Sequence, residues 1–226
     1  WQKARTTGNM WGAVSFMHSD GSQAEWDRGA STTQDWTYWN TTSQTGFLEY
    51  THQLAADWQL KLSYNYRRIG NDTRMFYATD VDGTGMQPDT NLGLYGYPWG
   101  GPDATTAHLG AATLNGHFQL FGRDQELTLG VSVGRSEAIN REYAQAICGT
   151  ETCGYIAMPG FPWVGDAVAE PQWGGLSVYG TLDQRLKRAF GATRLALTDR
   201  LKAVVGLNYA NYHRDGANYG VPFDQT

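Results

Sequence analysis

Apolar and polar positions alternate along much of this chain. From Trp58 to Arg67, in WQLKLSYNYR, one face of an extended strand would carry Trp58, Leu60, Leu62, Tyr64 and Tyr66. The other would carry Gln59, Lys61, Ser63, Asn65 and Arg67. LKAVVGLNYANY sets Leu201, Ala203, Val205, Leu207 and Tyr209 against Lys202, Gly206 and Asn208, with Val204 as the exception. LTLGVSVGRS sets Leu127, Leu129, Val131 and Val133 against Thr128, Gly130, Ser132 and Gly134, and GFLEYTHQL sets Leu48, Tyr50 and Leu54 against Glu49, Thr51 and Gln53. Weaker alternation runs through Thr7 to His18, His108 to Phe121 and Arg185 to Leu197. This predicts an all-β chain, an antiparallel up-and-down meander of about seven strands, each near the roughly 9–11 residues that cross a bilayer at a tilt.

The connections carry a second pattern. Short polar ones are expected around Ala55–Asp57, Arg123–Gln125 and Thr198–Arg200. Long ones, rich in Gly, Pro, Asp and Trp, are expected from Asp20 to Asn40, Gly70 to Thr106 and Ser136 to Gly175. Short and long connections alternate strictly, as in outer-membrane barrels, which have short turns at one rim and long loops at the other. A compact soluble domain rarely carries three long loops without structure of their own. Trp58 beside a short turn, and Tyr64, Tyr66, Tyr209 and Tyr212 towards the long loops, suit the two aromatic girdles of a membrane barrel. The competing reading is a soluble β-sandwich that binds carbohydrate or an adhesion partner through its aromatic loops; that fold needs Greek-key connections and a shared core.

Composition narrows this further. Of 226 residues, 17% are charged, 13% are aromatic and 28 are Gly, which suits many strands and turns. A net charge of −5 without a basic stripe argues against nucleic acid as a partner. There is no apolar run long enough for a transmembrane helix, which leaves a barrel open. The opening WQKARTTGNM has no apolar core of a secretion signal, so a removed leader or an excised piece of a longer chain is expected. Cys148 and Cys153, in ICGTETCGY, have a spacing that a loop disulfide can close in an oxidising compartment; two free thiols are the other reading.

Chemistry-bearing constellations are scarce. His18, His52, His108, His117 and His213 form no metal-ligand or catalytic spacing, so neither an enzyme nor a metal centre is expected. TDVDGTG, with Asp80 and Asp82 before Gly83, lacks the later oxygen ligands of a calcium loop and reads as a turn. Asp166 and Glu170 read as solvated loop charges. Ligand contact is expected instead from aromatic rings in the long loops: Trp36 and Trp39 in DWTYWN, Tyr95, Tyr97 and Trp99 in YGYPWGG, and Phe161 and Trp163 in GFPW. Arg67, Arg68 and Arg74 could attract an anionic ligand or pair with loop carboxylates.

YTHQLAADWQLKLSYNYR and FGATRLALTDRLKAVVGLNYANY resemble the strand–turn–strand units of TonB-dependent ferric-siderophore receptors, whose turns have the form L-T-D-x-L-K. Leu197, Thr198, Asp199, Leu201 and Lys202 match that form, and GFPW resembles a segment common in the outer loops. The likeness is greatest to the hydroxamate or pyoverdine type. It implies a 22-stranded barrel in the outer membrane of a Gram-negative bacterium, contacting lipid. It implies import of an Fe(III)-siderophore complex as transported ligand, with no covalently bound cofactor, powered by the TonB complex acting through a plug. Residues 1–226 show no plug, TonB box or closing aromatic strand, so the expectation is an internal piece of such a barrel. In isolation its apolar face would favour self-association.

Overall fold

The computed structural model describes residues 1–7, 10–11, 17–81, 83–143, 146–148, 151–152 and 154–226, with the side chains of 10–11, 146–148 and 151–152 left aside. The strands are β1 (Gln2–Thr7), β2 (Met10–Trp11), β3 (Tyr38–Ala55), β4 (Trp58–Thr79), β5 (Tyr95–Leu120), β6 (Arg123–Tyr143), β7 (Ala146–Cys148), β8 (Glu151–Thr152), β9 (Ile156–Ala157), β10 (Gln172–Trp173), β11 (Leu176–Ala196), β12 (Lys202–Asn218) and β13 (Val221–Gln225). Six of them are long, from 17 residues in β12 to 26 in β5. β3, β4, β5, β6, β11 and β12 pair in that order, each antiparallel to the next, with β1 and β13 at the two edges. β2 and β9 add to β4 and β5, and β7, β8 and β10 form a small separate sheet.

The predicted all-β antiparallel meander is therefore what the chain forms, but its strands are far longer than the roughly 9–11 residues expected. β4 and β5 stay paired without a register shift from Trp58↔Gly116 to Thr79↔Tyr95, so the long connection expected at Gly70 to Thr106 shrinks to residues 80–94. The strand ends are rich in Gly, Pro and aromatics, which read as loop on composition alone. Backbone pairing to a long neighbour overrides that local preference. The other long connections contract to residues ending at Thr37 and to 144–175. Much of the weak Thr7 to His18 strand lies outside the described residues.

The short turns fall close to expectation, with one shift. The β5–β6 turn is Phe121–Gly122, not Arg123–Gln125, and both residues have positive φ, 55° and 73°. A two-residue hairpin requires that geometry because its twist matches the flanking strands. Gly122 supplies it without strain, and the Phe121 ring, 92% exposed, simply points away. The β11–β12 turn is built by Thr198, whose Oγ1 accepts from the Leu201 amide at 2.9 Å, while the amides of Leu197 and Thr198 donate to the Leu201 carbonyl. Asp199 ion-pairs with Arg123 of the neighbouring hairpin, tying two turns together.

Register converts alternation into faces. The rows Leu60–Leu114–Leu129–Gly191–Leu207 and Leu62–Ala112–Val131–Ala189–Tyr209 run straight across five strands. These apolar residues meet no second layer: Leu129, Val131, Val133 and Leu207 are exposed. An apolar face this continuous, left uncovered, has the character of the lipid-facing side of a barrel wall. It also removes the sandwich alternative, since no opposing sheet covers it among the described residues. The buried apolar side chains sit elsewhere, at the long-loop end, where Met75, Phe76, Met86, Leu94, Met158 and Phe161 pack beneath the loops.

Candidate ligand-binding site

The polar face of the sheet gathers its chemistry at the long-loop end. Asn71, Asp103 and Asn140 lie in register on β4, β5 and β6, with Trp39 and Thr41 on β3 beside Asn71. Asn71 joins them: its amide donates to Asp103 Oδ1 at 2.7 Å, and its carbonyl oxygen accepts from Trp39 Nε1 at 3.1 Å and Thr41 Oγ1 at 2.8 Å. On β5, Trp99 shares the parity of Asp103, and its indole donates to Glu142 Oε2 at 3.2 Å. Tyr219, in the β12–β13 turn at φ 46°, reaches the same oxygen from its hydroxyl at 3.4 Å.

Rings close around that carboxylate. Tyr179 stacks on Tyr219 with centroids 5.0 Å apart and meets Trp99 edge-on at 6.3 Å, while Tyr97 packs against Tyr155 at 5.5 Å. A register shift between Val178 and Gly180 frees Tyr179 from simple alternation and lets it join this group. Partial burial raises the Tyr219 hydroxyl above its usual range, and the Glu142 charge adds to the effect. The result is an amphipathic surface of π faces and two carboxylates, suited to bulky planar or cationic groups.

Of the rings expected to contact ligand, Trp39, Tyr97 and Trp99 lie at this surface, while Trp36, Phe161 and Trp163 pack elsewhere. Tyr95, Tyr97 and Trp99 are strand residues, not loop residues: alternate positions Gly96, Pro98 and Gly100 are buried while the three rings stay half-exposed. Trp39 is exposed beside Asn71. Trp36 belongs to a different knot, donating to the Val168 carbonyl at 2.9 Å and meeting Phe76 and Trp173 edge-on. Phe161 is 1% exposed, at the centre of a loop core with Ala24, Met86 and Leu94, and Trp163 packs on it at 5.0 Å. Phe161 is thus a structural anchor with no ring face left for ligand. The expected Cys148–Cys153 pairing lies outside the described residues.

Two charge readings also change. Glu170 is no idle loop charge: it ion-pairs with Arg74 and accepts from Trp173 Nε1 at 2.9 Å. Arg74 lies over the rings of Tyr38, Tyr143 and Trp173 at 5.7, 5.8 and 5.6 Å, so it clamps the 158–173 segment to the sheet. The Asp80 turn is as expected: its two carboxylate oxygens accept from the Gly83 and Gly85 amides. Asp82 lies outside the described residues. The sequence reading missed Glu142, Asp103, Tyr179 and Tyr219. The available signal was the Asn-Tyr-Gly turn at 218–220, which marks Tyr219 as a ring held outside a strand.

Residues 1–226 match the family described as TonB dependent receptor-like, beta-barrel. The chain is 28% identical over 208 residues to the ferric-pyoverdine 358 receptor of Pseudomonas putida, covering 90% of this chain and 24% of that protein. It is 24% identical over 212 residues to the ferripyoverdine receptor of Pseudomonas aeruginosa, covering 93% and 25%. It spans about a quarter of the length of these curated relatives. Among solved structures, the P. aeruginosa ferripyoverdine receptor bound to ferripyoverdine superposes with a TM-score of 0.81 at 21% identity, over 99% of this chain and 28% of that one. The ferric-catecholate import receptor Fiu of E. coli superposes with a TM-score of 0.63 at 16% identity, over 87% and 32%.

Proposed function

Because the chain belongs to the TonB-dependent receptor β-barrel family, we propose that it forms part of the wall of an outer-membrane receptor that imports a ferric siderophore of the ferripyoverdine class. The observation that carries this reading is the aromatic surface of Trp39, Tyr97, Trp99, Tyr179 and Tyr219 on the polar face, at the end of strands whose other face is apolar. Strands of this length hold such a surface beyond the bilayer, where a chelate arrives from outside. Rings supply stacking and apolar burial for a bulky chelate, and Asn71, Asp103 and Asn140 supply directional hydrogen bonding. The names of the two Pseudomonas relatives support the pyoverdine class over other chelates.

On this reading the TonB complex is the energy-supplying partner and acts through parts of the receptor other than these strands. Iron is cargo held by the siderophore. The test is uptake of 55Fe-labelled ferripyoverdines by cells carrying or lacking the encoding gene, in backgrounds with and without functional TonB. Uptake that requires both supports the proposal; uptake indifferent to the gene overturns it.

A further inference from the structure

Most carboxylates on the walls of this sheet are neutralised by a neighbouring cation. Glu49 pairs with Lys61, Glu126 with Arg194, Glu137 with Arg135, Glu170 with Arg74, Asp183 with Arg135 and Arg185, and Asp199 with Arg123. Asp72, on the opposite face, takes its hydrogen bond from the Tyr38 hydroxyl at 3.3 Å, and on the polar face Glu142 and Asp103 break the rule. Neither takes part in any of the ion pairs formed by the described residues, and their hydrogen-bond partners are neutral: an indole and a phenol for Glu142, an amide for Asp103. The phenol contact, at 3.4 Å, is long for a hydroxyl donor to a carboxylate, so Glu142 keeps accepting capacity. Arg74, close by in sequence to Asn71, sits on the opposite face and is already committed to Glu170 and three rings.

The rings around Glu142 strengthen the same preference. Trp99, Tyr179 and Tyr219 surround a carboxylate with π faces, and both kinds of group attract a cation and repel an anion. A ligand that approached with a bare negative charge would meet two carboxylates that no described cation pairs with. A ligand bearing an ammonium or guanidinium would find the charge it lacks in this region.

We propose that Glu142, framed by Trp99, Tyr179 and Tyr219, is a specificity-determining residue that recognises a cationic substituent on the transported chelate, an ammonium or guanidinium carried at its periphery rather than on the iron-binding groups. Asp103 adds to the field from the neighbouring row. The inference rests on the ferric-siderophore reading and goes beyond it by fixing the charge of the part of the ligand that touches this wall.

The test uses the complete receptor that contains this chain and a ferripyoverdine whose peptide carries a free amine, before and after acetylation of that amine. Wild-type receptor should bind the free-amine form about tenfold more tightly than the acetylated form, the gain of one charged contact. Glu142→Gln keeps the size and accepting oxygen of the side chain. It should bring the two forms to equal affinity, while an outer-membrane yield and a circular dichroism spectrum matching wild type show that the variant is folded. Equal weakening of both forms, or a preference that survives in Glu142→Gln, overturns the inference while leaving the transport reading intact. Failure of the wild-type receptor to bind any ferripyoverdine overturns the transport reading and this inference with it.

Discussion

The indole of Trp58 occupies the space beside Gly116 on the next strand: a Cβ added to Gly116 would sit 2.3 Å from the indole Cε3. The two residues are register partners at the short-turn end of β4 and β5, and the Asp57 carbonyl accepts from the His117 amide at 3.0 Å alongside them. A ring filling the gap over a strand glycine holds register at a place where the glycine alone would loosen it.

Gly116→Val should therefore force the indole out and destabilise the sheet by about 1–3 kcal/mol, the usual cost of overpacking. Gly46→Ala, on β3 with nothing within 4 Å of the added carbon, should change stability by less than about 0.5 kcal/mol. Urea midpoints of the two variants in lipid vesicles check both values.

A charge on the apolar face should be far more costly than one on the polar face. Val131→Arg lies in the middle of the row Leu62–Ala112–Val131–Ala189–Tyr209 and should cost about 2–4 kcal/mol in a bilayer. Asn65→Arg, on the polar face of β4, should be close to neutral. Folding yields in phosphatidylcholine vesicles across a urea series would separate the two; equal yields would mean that lipid does not meet Val131.

Asp199 should titrate below its ordinary value of 3.8, chiefly through its hydrogen bond to the Arg123 guanidinium and then through that group's charge. Its folded pKa is depressed, so the link between the two turns is fully present above 3.8 and is lost as the pH falls through the lower, folded value. Carboxyl carbon chemical shifts followed through acid titration should show this. In Arg123→Gln the titration should return towards 3.8.

Arg74→Lys retains the charge but loses the planar group that lies over Tyr38, Tyr143 and Trp173. It should loosen the 158–173 segment by about 1–2 kcal/mol, seen as faster proteolysis between Gly160 and Glu170 with the strands left intact. Cleavage at the wild-type rate would show that the clamp does not hold the segment.

The strands over the apolar band were legible because period-two alternation is a backbone property: Trp58 to Tyr66 and Leu127 to Val133 lie on the expected face without a slip. The upper strand ends were not. In Tyr95 to Gly101 the buried face is made of Gly and Pro, so burial left no hydrophobic signature there, and pairing with β4 decided the structure. The candidate site was half visible for the same reason. Trp39, Tyr97 and Trp99 stand out as rings in sequence, but Glu142 gains meaning only when β5, β6 and the β12–β13 turn bring Trp99 and Tyr219 to it. Phe161 looked like a contact ring, yet the loops use it as their centre because they need a core of their own.

The unbroken register of β4 makes that strand a ruler. Its lower half is graduated in apolar side chains from Leu60 to Tyr66 and its upper half carries Asn71, with no shift against β5 anywhere between. From Leu62 to Asn71 is about 30 Å at roughly 3.3 Å per residue. On the proposed reading, the separation between the lipid band and the rings that meet the chelate is therefore built into one strand, and a two-residue slip of the β4–β5 pair would move the two out of step by about 7 Å.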